Sequence, residues 1–582
     1  LGVTPGGFNP IADYSWTIAT ASGGITGFDP TKFALDASDF TPGTTDAAFS
    51  LAQSGNSLSL HYTYTGSSTV ITTDYVTSVS GALANQRYDF QNNGTTDLGA
   101  LHSDTADGVT TGVQAFHGQS TLTASVATAV SGGNQIFNNT SKLLATDSQA
   151  VSGGVQTFNN SSSLVASADS ALSNGTQVFN DNSTLEGAAP HSITGGTQYF
   201  HDTSALNASA LAIGNGASLA FYDSSVLHAN GASAMTGGAI FYDHSTLDAG
   251  AANSVTAGML DFRDNSTLDA SVTDAVTGGQ ITMRGSSMVV AGAMHSVNGA
   301  TIHLPDNGSH ILLNANNALG ENTDLLFEAP GSILDLNGHD TTVGLLGGNA
   351  GSGIIHNSVA ATTATLTMAP SGSDFFNGRI EDGDGVVSVV KTGNGTQTLV
   401  SASTYTGGTT ISGGTLNANN TTGSGTGTGA ILINAGGTFG GSGSVSGSVN
   451  VFGTITASIV GPHHLSTGAE TWEEGGSYLW EIQGATPTAT DRSLLVINGS
   501  LTVASSNATP FTIAVNSLGG TPSGFNPIAD YSWTIATASG GVAGYDPVKF
   551  AIDTAGFAPG TANAAFGLAQ SGNSLSLHYT YT

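Results

Sequence analysis

Phe179–Leu185 reads FNDNSTL. Twenty-one residues earlier the chain reads FNNSSSL (Phe158–Leu164), and 21 residues later FHDTSAL (Phe200–Leu206). The passage returns as FNNTSKL (Phe137–Leu143), FYDSSVL (Phe221–Leu227), FYDHSTL (Phe241–Leu247) and FRDNSTL (Phe262–Leu268), with one 20-residue step between Phe221 and Phe241. A fixed period of this size marks a solenoid, in which each repeat buries its apolar face only against its neighbours. No helical period accompanies it, and small-residue turns such as VSGG (Val151–Gly154), ITGG (Ile193–Gly196) and VTGG (Val276–Gly279) punctuate each step, so the coils are made of strands. The expected fold is all-β, a parallel β-helix with coils of about 21 residues. Like residues then stack at the strand spacing of about 4.7–4.9 Å, which puts Phe116, Phe137, Phe158, Phe179, Phe200, Phe221, Phe241 and Phe262 in one interior ladder that Met283 continues. Gln114, Gln135, Gln156, Gln177 and Gln198 form a second row, replaced by Leu219 and Leu260 in later coils, which suggests a buried or half-buried ladder on a face the sequence leaves open.

The corner after each Phe carries Asn139, Asn160, Asp181, Asp202, Asp223, Asp243 and Asp264 in register. Stacked carboxylates repel, and a hard divalent cation such as calcium would relieve them through oxygen ligands. The alternative is that these side chains, with Ser183, Ser204 and Ser225, cap the turn by accepting from N–H groups two residues on. Asn serves as well as Asp in the early coils, which favours the turn.

Composition agrees with stacked strands: 81 Gly among 582 residues, 8% charged residues and 39% apolar ones. Nine Lys and Arg against 40 Asp and Glu give a net charge of −31, which repels phosphate backbones and anionic lipid, so no nucleic-acid partner is expected. There is no cysteine and no apolar run of 18 residues, so this segment should not insert into a membrane.

The chain also repeats at long range. Leu1–Thr65 aligns with Leu518–Thr582 without a gap and with 51 of 65 positions identical, including GFNPIADYSWTIATASGG at Gly7–Gly24 and Gly524–Gly541. Between the copies lie KTGNGT, LVSASTYTGGTTISGGTL and GGTFGGSGSVSG (Gly436–Gly447), within Val389–Thr456. This stretch resembles the autotransporter-associated β-strand repeat family of secreted bacterial proteins. GSYLWEIQGA, PFTIAVNSL and the YSWTIATASGG passage resemble the closing region of such proteins. The resemblance implies a right-handed extracellular β-helix with a surface or structural role and brings no catalytic residues. It suggests this layout: 1–65 the closing module of a preceding unit, 66–115 a lead-in segment, 116–345 the 21-residue solenoid, 346–456 Gly-rich autotransporter-type repeats, 457–517 end-of-solenoid strands and 518–582 the second closing module.

An enzyme on such a scaffold would need two carboxylates facing one groove, or acid-bound calcium with an Arg or Lys base. The solenoid offers only Lys142, Arg263 and Arg284, and its acids repeat in every later coil instead of clustering in one, so no enzyme is expected. EDGDG (Glu381–Gly385) lacks the remaining ligands of a calcium loop and reads as a strand-joining turn. GPHHLSTGAETWEEGG (Gly461–Gly476) gathers His463, His464, Glu470, Glu473 and Glu474, a set that could hold a transition metal but reads better as a solvated loop. The expected function is structural: an extracellular or cell-surface fibre, sheath or stalk-like adhesin built by units joined end to end, without a cofactor except calcium at the acidic row. A secreted β-helix that binds or cleaves carbohydrate, meeting surface glycans through an aromatic-lined groove, is the alternative.

Overall fold

The computed structural model describes residues 14–21, 25–35, 47–54, 56–64, 69–71, 75–77, 87–92, 101–103, 107–209, 212–214, 216–348, 353–457, 464–485, 491–559 and 564–582. Much of the expected lead-in segment and His463 lie outside them. The chain forms two compact units, Leu1–Met259 and Leu260–Thr582, both built of strands.

In the first unit each coil contributes one strand to each of two parallel sheets. Asn134–Phe137 lies between Val113–Gly118 and Val155–Phe158, with Gln135 opposite Gln114 and Gln156, and Phe137 opposite Phe116 and Phe158. Six residues along, Leu143 pairs with Leu122 and Leu164, and Ala145 with Ala124 and Ala166. A third inward row, Val130, Val151, Leu172, Ile193 and Ile213, is joined by single bridges. The three rows close the coil around a core in which Phe137, Leu143, Ala145 and Val151 are fully buried. The 20-residue step is absorbed in a turn, because Phe221 still pairs with Phe241.

Period-2 alternation sets which side chains enter. In Thr176–Phe179, Gln177 and Phe179 point inward while Thr176 and Val178 are half-buried on the outer face. The phenyl rings from Phe116 to Phe241 stack with centroids 4.5–4.9 Å apart and planes within 10°. The Gln row is also interior. Each amide nitrogen donates to the carboxamide oxygen of the preceding coil, Gln135 to Gln114 and Gln156 to Gln135 at 2.8 Å, Gln177 to Gln156 and Gln198 to Gln177 at 2.7 Å. An amide can enter the core because its neighbours supply both partners. The run stops where Leu219 replaces Gln, and the buried Oε1 of Gln198 is left without a partner. Turns pack as closely as strands: a Cβ on Gly195 would stand 2.1 Å from the Ser173 carbonyl oxygen of the preceding coil.

In the second unit Phe262, Met283, Leu304 and Phe327 fill the core. From Thr341 onward other parallel sheets take over, with Val389, Thr409, Ile431 and Val449 pairing in turn across steps of 20, 22 and 18 residues. Unequal coils explain why no period is visible there. The parallel run His464–Thr467, Leu494–Ile497, Tyr531–Ala538 ends in the antiparallel hairpin Ala564–Ser571 and Ser574–Tyr581.

Phe179→Ala removes a ring stacked on both faces and should cost about 3–5 kcal/mol, whereas Asn182→Ala on the exposed corner should change stability by no more than about 0.5 kcal/mol. Urea denaturation of the two variants measures the contrast.

Candidate functional site

The acidic row sits on a corner whose backbone is left-handed. Asn139, Asn160, Asp181, Asp202, Asp223, Asp243 and Asp264 all have φ between 56° and 59°, a region Asn and Asp tolerate better than other side chains. Their side-chain oxygens cap across coils: Asp181 accepts from the Asn160 N–H at 2.8 Å, and Asp202 and Asp223 accept from the N–H of Asp181 and Asp202 at 3.1 Å. The capped group therefore belongs to the preceding coil and not to the residue two positions on. Ser225 departs from the expected capping too, since its buried hydroxyl donates to the carbonyls of Phe200 and Tyr222, at 3.3 and 2.7 Å, while buried Ser183 and Ser204 have no side-chain partner. A second left-handed corner, at Thr128, Gln149, Ser170 and His191, escaped sequence reading because its residue type changes at every coil.

Beside the acidic row runs an outer ladder of Asn138, Asn159, Asn180, His201, Tyr222 and Tyr242. Its amides bond at 2.9–3.0 Å, and its rings stack at 4.8 Å. Burial pushes the His201 imidazole below its ordinary value, more than Asp223 and Asp202 raise it. Tyr222 has a ring on each face, so neither face is open to a sugar.

The remaining candidates are tied into the scaffold. Arg263 and Arg284 both reach Asp261, at 2.6 and 3.2 Å, so the arginines that a lyase would need as bases are held in ion pairs. In EDGDG, Asp382 accepts from the N–H groups of Val387 and Thr406, at 2.8 and 3.2 Å, and so joins two turns. A hollow of about 310 Å³ holds Glu321 and Asp324 with no aromatic or basic lining, and Asp324 accepts from the Leu345 N–H at 2.9 Å. Among the described residues no three His, Asp or Glu side chains could hold a metal ion, and no helix is long and apolar enough to cross a membrane.

The stretch expected as a solvated loop is instead two short strands, His464–Thr467 and Glu470–Trp472. His464 is exposed, but Glu470 is buried and accepts from Thr467 Oγ1 at 2.6 Å and from the Trp472 indole N–H at 2.8 Å. The loop reading failed because it took Glu for a surface residue, whereas Trp472 and Thr467 supply donors that let a carboxyl turn inward. Burial pushes this carboxyl up to about 7.

Lys391 is similarly enclosed. Its ammonium donates to the carbonyls of Thr392, Gly393 and Gly413, and burial lowers it to about 8. Gly414 (φ 59°) must lack a Cβ, which would come within 2.4 Å of the Gly395 carbonyl oxygen. Lys391 thus pins two successive turns.

Asp202→Asn should leave stability within about 0.5 kcal/mol, and Asp202→Val should cost about 1–2 kcal/mol through its left-handed backbone. A chelator should not move the melting temperature of the unmodified chain; a rise with added calcium would assign the row to ion binding. Because the folded state holds the Glu470 proton more tightly, its contribution is full below about pH 4.5 and lost as pH rises to about 7. Glu470→Gln should abolish that fall, worth roughly 3 kcal/mol, in urea titrations between those limits.

Comparison with known proteins places this geometry. Residues 389–418, which include Lys391 and Gly414, match the passenger-associated transport repeat family. A 96-residue stretch is 40% identical to Adhesin BmaC autotransporter of Brucella suis biovar 1 (strain 1330). That match covers 16% of this chain and 3% of the adhesin, so the chain spans a small fraction of that relative's length. The stretch 389–418 is a repeat of the autotransporter-associated kind, carried on a β-solenoid.

Proposed function

We propose that this chain is part of an extracellular, adhesin-like passenger protein whose role is mechanical: a stiff β-solenoid that holds a surface away from the cell and forms a fibre or stalk from units joined end to end. The observation that carries this reading is the combination of a passenger-associated repeat with coils whose polar groups serve each other. The acidic row caps neighbouring coils, the arginines are paired with acids, and the outer rings stack on one another. Such an arrangement resists unfolding and offers little convergent chemistry. The likeness to an autotransporter adhesin supports a surface location, and nine Lys and Arg in 582 residues leave few sites for trypsin-like proteases. We read the chain as non-enzymatic and calcium as unnecessary to it.

Cells that make the protein should carry it outside their membrane by immunogold labelling, and deleting its gene should lower their adherence several-fold. Negative-stain microscopy of the native material should show rods or filaments. Release of reducing sugars from polysaccharide by the purified chain would replace this reading with the carbohydrate-cleaving one.

A further inference from the structure

The two copies of the closing passage fold alike but are not covered alike. Tyr14–Thr20 pairs antiparallel with Ser57–Tyr64, placing Trp16 opposite Leu60, with a bulge between Thr17 and Ala19. Tyr531–Ala538 pairs with Ser574–Tyr581 in the equivalent register, Trp533 opposite Leu577, with a bulge between Thr534 and Ala536. Asp29 and Asp546 cap equivalent 3-10 turns at Pro30–Lys32 and Pro547–Lys549.

In the second copy two strands lie against the module. Leu494–Ile497 runs parallel to Tyr531–Ala538, and Phe511–Ser517 runs parallel to Phe550–Gly556 with Phe511 opposite Phe550 and Ile513 opposite Ile552. The Trp533 indole donates to the Ala485 carbonyl at 3.2 Å and packs 5.6 Å from Trp480, while the Ile535 carbonyl accepts from Tyr478. Trp533 and Ile535 are left 2% and 0% exposed. In the first copy, Tyr14–Thr20 is an edge strand among the described residues, and Trp16, Ile18, Phe33 and Leu35 are 37%, 52%, 48% and 42% exposed. Of the 14 positions at which the copies differ, only Leu35/Ile552 touches this set, and it stays apolar. The first copy keeps an apolar face and an open strand edge that nothing described covers, a combination that invites strand pairing.

We propose that this face is a docking surface for a segment patterned on 464–517, carried on the same polypeptide by another unit of this kind. A strand equivalent to Leu494–Ile497 pairs with Tyr14–Thr20, and one equivalent to Phe511–Ser517 covers Phe33 and Leu35. The internal twin identifies the occupant, since the same residues in the same register are covered by those strands in the second copy. It also selects the source: in a separate copy, residues 464–517 already hold their own closing module, tethered directly behind them, and a free chain would have to displace it against that effective concentration. The proposal rests on the end-to-end reading above and gives its joint an atomic description.

Acrylamide quenching tests it, because Trp472, Trp480 and Trp533 are buried and Trp16 supplies the accessible fluorescence, assigned by difference from Trp16→Phe. Fusing a copy of residues 389–517 ahead of Leu1 of the full chain should lower Trp16 quenching several-fold, and Ile18→Asp in the fused chain should restore it. Equal quenching of Trp16 with and without the fused segment, in a chain whose circular dichroism shows the added strands, overturns the proposal. Shielding of Trp16 in the unfused chain that grows with protein concentration overturns the same-polypeptide source in favour of separate copies. Adherence of cells does not enter these readouts, so the joint can fail while the adhesin reading stands, and the reverse.

Discussion

Registered stacking of like residues at the inter-strand spacing is the constraint on which the solenoid depends. A parallel ladder places each side chain against its counterpart one coil away, so a residue is acceptable only if it can be its own neighbour. Phe satisfies this by ring stacking, Leu and Ala by filling volume, and Gln by giving and taking one amide hydrogen bond per coil. The Gln run shows what departure entails. Where Leu219 enters, the last amide oxygen is buried without a partner, a cost that a row of Leu or a row of Gln would avoid.

The corners obey the same logic with backbone in place of side chains. Each coil must turn at left-handed residues, and Asn or Asp makes that turn while its side chain reaches the N–H of the adjoining coil. Acidity at this corner follows from turn geometry before any ligand is considered. With so few basic residues, the acidic surplus faces water and keeps a surface of strands from associating indiscriminately.

Function on such a scaffold is distributed along its length. An active site would require a local exception to the repeat, and the strongest exceptions, Glu470 and Lys391, are both interior. Each is held by two or more hydrogen-bond partners that pin adjacent strands or turns. A buried ionisable group in a coil of unequal length stabilises by bonding to backbone and side chains that a regular ladder would have paired, which is how the coils of 18 to 22 residues after Thr341 remain closed.

The 21-residue period by itself determined the parallel solenoid, the interior Phe and Leu rows and the position of the acidic corner, because a translational repeat in sequence becomes a translational repeat in space. The long-range duplication likewise determined that both closing passages fold alike. Tertiary structure alone decided the rest. It turned the Gln row inward, moved the acidic caps to the neighbouring coil, buried Glu470 where a loop was expected, and left Trp16 exposed while covering Trp533. In each case the deciding partner lies a full coil or more away along the chain, so the local sequence, which is the same for Trp16 and Trp533, carries no record of whether that partner is present.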